Sequence, residues 1–134
     1  MLMEVKIDTK EKFSVLTPLL PDLTVNIAAV LEELCLKQLE QPVKNVVLQM
    51  NQVENIDAEA ATRLAELQQQ FYENSSSFVI CSVSKNVEAK FESLELMDFL
   101  NITPTESEAW DIVQMEEIER ELLDGDDMEF EKND

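Results

Sequence analysis

The chain contains no histidine and one glycine in 134 residues. Without imidazole, His-based acid–base catalysis and His ligation of a metal are excluded. With a single glycine there is no glycine-rich cradle for phosphates, and neither a GxGxxG motif, a P-loop nor a CxxC pair can be drawn. Cys35 and Cys81 are the only cysteines, far apart and each in an apolar stretch, so they read as two buried reduced thiols and not as a disulfide or redox pair. Bases are also scarce, at 10 against 29 acidic residues for a formal net charge of -19. Such a field repels phosphate backbones and anionic lipid headgroups, which makes nucleic acid and membrane surfaces poor partners and a basic patch on another protein a good one; plain solubility is the other reading of the same charge. No run approaches the roughly 18 consecutive apolar residues of a spanning helix, and MLMEVKIDTK lacks the apolar core of a secretory signal, so the simplest location is the cytoplasm. Carboxylate pairs are everywhere in so acidic a chain and none has a specific spacing. An enzyme is not expected, and no cofactor is implied.

The content is that of one folded domain. At 15.4 kDa with 45% hydrophobic residues, a core can form without metals or disulfides. LMEVKID alternates as an early or edge strand with one wet face, and FSVLTPLL after residues 9–12 completes a hairpin, with Pro18 limiting how far the second run donates to a ladder. Ile27, Val30, Leu31, Leu34 and Gln38 follow helical spacing, with Thr24 or Asn26 as the cap and Pro42 as the close. VKNVVLQM (43–50) and FVICSV (78–83) have the content of central strands, and between them Ala60, Leu64, Leu67 and Phe71 step by four, three and four. Strand, helix, strand in that order predicts a parallel pair within a mixed sheet.

Ser84 caps a further helix with Val87, Phe91 and Leu94 on its face, and LELMDFLNIT supplies a turn and a short last strand around Ile102. Leu96, Met97 or Phe99, if exposed, would point to a second interface. In PTESEAWDIVQMEEIERELL, Thr105 and Glu108 form a capping box, and Ala109, Ile112, Met115, Ile118 or Glu119, and Leu122 trace an apolar stripe opposite a densely acidic face. Gly125 stands where that helix should stop, which predicts a domain over residues 1–123 and an acidic tail over 124–134, with Met128 and Phe130 as its apolar interruptions. The charge is uneven: residues 1–105 carry net -8 and residues 106–134 carry net -11.

VKNVVLQMNQVENIDAEAATRLAEL resembles the central strand, loop and helix of a STAS domain, the fold of anti-sigma factor antagonists. The family motif is Ile-Asp-Ser-Ser-Gly followed by a helix. Here Ile56 and Asp57 match, Ala58 replaces the first serine, Glu59 the serine that bacterial antagonists have phosphorylated, and Ala60 the glycine, while Leu64 falls on the helix's apolar side. FVICSVSKNVEAKFESLELMDFLNITPTESEAWDIV is similar to the family's second half, so the likeness spans roughly residues 3–123.

The resemblance implies an α/β fold, a STAS-like mixed β-sheet with helices packed against one face, and a protein as partner. In switching members the unphosphorylated antagonist binds an anti-sigma factor kinase and leaves when its serine is phosphorylated. Carried onto this chain, the contact surface is the loop before the first helix, with Asp22 and Thr24, and the surface formed by Asp57, Ala58, Glu59, Thr62 and Arg63. Glu59 is a degenerate phosphosite. A phosphoserine there would bring about -1.5 to -2 charges to the free N–H groups of a helix start. Glu59 brings one permanent charge on a longer stem, and either imitates the phosphorylated state or marks a site that has abandoned switching. Asp57 is equally an N-cap by type and position. Arg63 meets a partner's carboxylate, or pairs with Asp57 or Glu66 on its own helix. The function expected is a non-catalytic, protein-binding regulatory domain; a constitutive structural subunit of a signalling or transport assembly, and a small-ligand-binding domain, are the alternatives.

Overall fold

A turn without glycine joins the first two strands, β1 (Val5–Thr9) and β2 (Phe13–Pro18), into the expected antiparallel hairpin. The Lys10 N–H closes it by donating to the Phe13 carbonyl at 2.8 Å. Pro18 pairs only with Val5 and lies beyond the part of β2 that faces its other neighbour, so its missing N–H leaves that ladder intact. The computed structural model describes residues 5–133, and the backbone alone over 124–133.

The chain continues through β3 (Asp22–Leu23), α1 (Val25–Gln38), β4 (Asn45–Gln49), β5 (Asn55–Ile56), α2 (Ala58–Glu73), β6 (Phe78–Cys81), α3 (Lys85–Ser93), a 3-10 turn at Met97–Phe99, β7 (Ile102–Thr103) and α4 (Glu106–Asn133). The main sheet runs in the order β1-β2-β4-β6-β7, parallel except for the β1 edge, while β3 and β5 form a separate two-residue parallel ladder. This is the mixed α/β architecture expected. The ladder of β3 and β5 was not expected, because two residues show no period.

Side chains alternate along the central strands and so build two cores. Leu16, Val46, Leu48, Phe78 and Ile80 face α1, α2 and α3, where Leu31, Leu64, Leu67, Phe71, Val87 and Phe91 are buried. Val15, Val47, Val79 and Cys81 point the other way, against Ala109 and Val113 of α4. Helices therefore cover both faces, which corrects the one-sided expectation: a sheet as apolar as VKNVVLQM and FVICSV on both sides needs two covers.

The four apolar positions of α2 are all buried as their spacing predicts. In α1 the buried line is Ala28, Leu31 and Cys35, with Ile27 and Leu34 at its margin and Val30 exposed. The inward face is rotated from the stripe expected because α1 packs along α2 as well as on the sheet.

The larger correction concerns α4. Thr105 caps it, accepting the Glu108 N–H at 3.2 Å and donating its hydroxyl to the Glu108 carboxylate at 3.0 Å. Ala109 and Val113 are buried and Ile112 is half-buried, but Met115, Ile118 and Leu122 of the expected stripe are exposed. Polar residues lie inward instead. Asn45 and Ser77, buried where β4 and β6 begin, need hydrogen-bond partners. Glu117 accepts from Asn45 Nδ2 at 2.6 Å, Glu116 accepts from Ser77 Oγ, and Arg120 donates to Ser77 Oγ at 3.3 Å and Asn45 Oδ1 at 3.4 Å. Turning the apolar stripe inward would orphan that cluster.

Gly125 does not stop the helix, whose backbone continues to Asn133. The helix tolerates there a glycine's penalty of about 1 kcal/mol relative to alanine. Met128 and Phe130 lie outside the residues whose side chains are described.

Candidate functional site

Asp57 stands between β5 and α2. Ile56 is buried and fixes β5 beside Leu23 of β3, and the Asp57 N–H extends that pairing to the Leu23 carbonyl at 3.2 Å. The carboxylate that follows serves two helices. Oδ1 accepts the Ala60 N–H at 2.8 Å, capping α2, and Oδ2 accepts the Val25 N–H at 3.0 Å, capping α1. Thr24 is the N-cap of α1 by position, but its hydroxyl accepts the Ile27 N–H at a long 3.5 Å. The extended backbone at both caps, with ψ of 170° at Thr24 and 167° at Asp57, is ordinary N-cap geometry.

The start of α3 joins the same place. Ser84 accepts the Val87 N–H at 3.1 Å and donates to the Glu54 carbonyl at 3.2 Å. Asn55 Nδ2 donates to Asp22 at 3.0 Å, and Asn86 Nδ2 donates to Asn55 Oδ1 at 3.5 Å. Three helix N-termini thus meet at one end of the molecule, around an open concavity of about 650 Å³ lined by Asp22, Thr24, Asn55, Asp57, Asn86 and Lys90 among others. The free N–H groups and the positive dipole end of a helix start favour negative charge.

The expected site residues are largely brought together here. Asp22, Thr24 and Asp57 line the concavity, and Ala58 and Glu59 continue from it along the exposed first turn of α2. Thr62 is exposed one turn on, with its hydroxyl donating to the Ala58 carbonyl at 3.0 Å. Arg63 departs from expectation: it pairs with neither Asp57 nor Glu66 but donates to Glu32 of α1 at 3.0 Å. Packing of α1 along α2 presents a carboxylate from outside the helix. Asn55, Ser84, Asn86 and Lys90 stand beside the same place without having been expected there, since nothing in their local pattern marks where the chain returns. Ala60, in the place of the motif's glycine, is fully buried, so its methyl belongs to the core and not to the exposed surface.

Phe99 is 63% exposed, whereas Leu96 and Met97 are half-buried against the core. Among the described residues no group of three His, Cys, Asp or Glu side chains is placed to hold a metal ion, and no helix is long and apolar enough to cross a membrane.

Residues 5–109 match the STAS domain family, and the chain belongs to it. A protein from Thermotoga maritima described as an anti-sigma factor antagonist is similar in structure, with a TM-score of 0.73 at 19% identity over 82% of this chain and 94% of that one. An anti-sigma factor antagonist from Mycobacterium paratuberculosis gives 0.71 at 14% identity, over 84% and 95%. Part of a murine anion transporter of the solute carrier 26 family is also similar, at 0.63 and 12% identity, over 81% of this chain and 18% of the transporter. Identities this low establish the shared fold alone. No curated protein matches the chain.

Proposed function

We propose that this chain is a non-catalytic, protein-binding regulatory domain of the anti-sigma factor antagonist kind, acting in the cytoplasm, with Glu59 fixed in place of a phosphorylatable serine. The observation that carries the reading is the position of Glu59: exposed in the first turn of α2, two residues after the Asp57 cap and beside the concavity where three helices begin. A carboxylate there sits in the positive end of the helix dipole, as a phosphate would, and cannot be removed by a phosphatase. The contact surface runs from Asp22 and Thr24 across Asp57, Ala58 and Glu59 to Thr62 and Arg63. The partner is another protein, in the switching version an anti-sigma factor kinase, and Glu59 holds the surface in its low-affinity state.

The test is an affinity capture from the native cytoplasm using the intact protein beside Glu59→Ser and Glu59→Ala, read by mass spectrometry with and without ATP. A serine-kinase partner retained about tenfold better by both variants, equivalent to ~1.4 kcal/mol, and released when the introduced serine is phosphorylated supports the reading. The same partners captured equally by all three proteins would sink it.

One observation favours a second reading, a constitutive subunit of a larger signalling or transport assembly. Both oxygens of Asp57 are engaged in capping, and Arg63 is held by Glu32, so much of the surface is internally satisfied. A stoichiometric complex indifferent to nucleotide and to Glu59 is the result that selects it.

A further inference from the structure

Beyond Val113, helix α4 turns polar side chains to the sheet and apolar ones to water. A helix lying on a sheet normally turns its apolar stripe inward and its charges to water. Here Glu116, Glu117 and Arg120 point at the starts of the interior strands β4 and β6, where they satisfy Ser77 and Asn45, and Glu116 also accepts from Asn101 Nδ2 at 3.3 Å. On the outward side stand Met115, Ile118 and Leu122, spaced by three and four residues, with Leu123 at their margin. These four are 58%, 55%, 55% and 65% exposed. Single exposed apolar residues are ordinary, but an aligned row along one helix face is a contiguous patch. The same spacing is what a helix uses when a second amphipathic helix lies along it.

Charge decides what kind of helix fits. Glu108, Asp111, Glu119 and Glu121 are exposed beside the row, while Arg120, one of two bases in residues 106–134, is turned inward. A second copy would bring two such acidic margins together, each from a segment of net -11. Like charges flanking an apolar seam oppose that pairing, and opposite charges favour a different partner. We propose that the outer face of α4 is a docking surface for a basic amphipathic helix, one with a leucine or isoleucine stripe bordered by lysine or arginine. Helix α4 covers the sheet face opposite α1, α2 and α3, so its outer side is separate from the surface around Glu59 and open at the same time.

The test uses the full chain and a fluorescein-labelled peptide of about 20 residues, long enough for several helical turns, with leucines at three- and four-residue spacing and lysines on both flanks. Two control peptides replace the leucines by serine or the lysines by glutamate. The chain is compared with a Met115→Gln/Ile118→Gln/Leu122→Gln variant, whose exposed positions leave the core untouched, and with Glu119→Lys/Glu121→Lys. Fluorescence anisotropy should show saturable binding of the basic leucine peptide, with affinity lower by about tenfold or more for each variant and for each control peptide. Equal binding by the Gln variant, or by the serine peptide, would reduce the effect to bulk charge and overturn the proposal, as would the absence of binding. Sedimentation of the chain alone gives the remaining outcome: a dimer dispersed by the Gln substitutions would make a second copy the occupant and equally overturn it. Urea unfolding of the variants, with midpoints close to wild type, ties any loss to the surface; if the Gln variant is unfolded, the Lys variant decides.

Discussion

The carboxylate of Asp57 accepts the amide of Val25 from across 32 positions of sequence, at 3.0 Å, while its other oxygen caps its own helix at 2.8 Å. One side chain thereby fixes the starts of α1 and α2 against each other. Each N-cap bond is worth about 0.5–2 kcal/mol, so Asp57→Ala should cost ~2 kcal/mol or more in urea unfolding. Asp57→Asn keeps one strong acceptor and should lose about half as much. Thr24→Ala should cost less than either, because its 3.5 Å bond is weak and Asp57 already serves α1. Equal losses at Asp57 and Thr24 would contradict the shared cap.

The second prediction concerns Asn45, which is buried and makes four contacts. It donates to the Lys12 carbonyl and to Glu117, and its Oδ1 accepts the Ser77 N–H at 2.8 Å and Arg120 at 3.4 Å. Asn45→Ala orphans the buried Ser77 N–H and should cost about 1–3 kcal/mol. Arg120→Met should cost less, since it leaves Asn45 bonded to Ser77 and Lys12. A double-mutant cycle should give a coupling of about 0.5 kcal/mol or more between the two sites. Strict additivity would mean that Arg120 does not bind the cluster.

The same cluster explains what the sequence could and could not disclose. The spacing of Ala60, Leu64, Leu67 and Phe71 predicted the buried face of α2, because an apolar stripe with no competing demand turns inward. In α4 the stripe was equally regular, and the face it takes was illegible, because orientation is decided by polar atoms of Asn45 and Ser77 on distant strands. Asp57 was readable as the cap of α2 from its place before Ala58. Its bond to Val25, and the arrival of Ser84, Asn55 and Asn86 beside it, depend on how β3 and β5 pair, and two-residue strands leave no pattern to read.

The two thiols give a pH prediction. Burial pushes the Cys81 thiol up to about 11 from its ordinary value of 9.0, with Ser82 opposing the shift and Glu106 adding to it, and burial raises Cys35 further still. A folded pKa above the unfolded one means that the folded state holds its proton more tightly. The stability this contributes is complete below about pH 9 and is lost as pH rises from there towards 11 for Cys81, and beyond for Cys35. Thermal unfolding between pH 8 and 10.5 should therefore show a falling Tm, and Cys35→Ala should flatten the slope whatever it does to the level. Ellman's reagent should find neither thiol in the folded protein at pH 8 and both after denaturation. Ready labelling of native Cys35 would contradict its burial.

The last prediction separates two roles for Gly125. A glycine that ends a helix takes a left-handed backbone, where an alanine is strained, and Gly125→Ala would then destabilise the helix end. A glycine inside a continuous helix is its weakest link, and alanine there gains about 1 kcal/mol. Since the backbone of α4 runs through this position to Asn133, Gly125→Ala should raise the helical circular dichroism signal and slow amide exchange on both sides of residue 125. The gain should be largest in salt, which screens the repulsion among the acids of residues 106–134 and lets the intrinsic preference show. Reduced helicity on substitution would restore Gly125 as a terminator and shorten α4, leaving the exposed apolar row of Met115, Ile118 and Leu122 on the helix that remains.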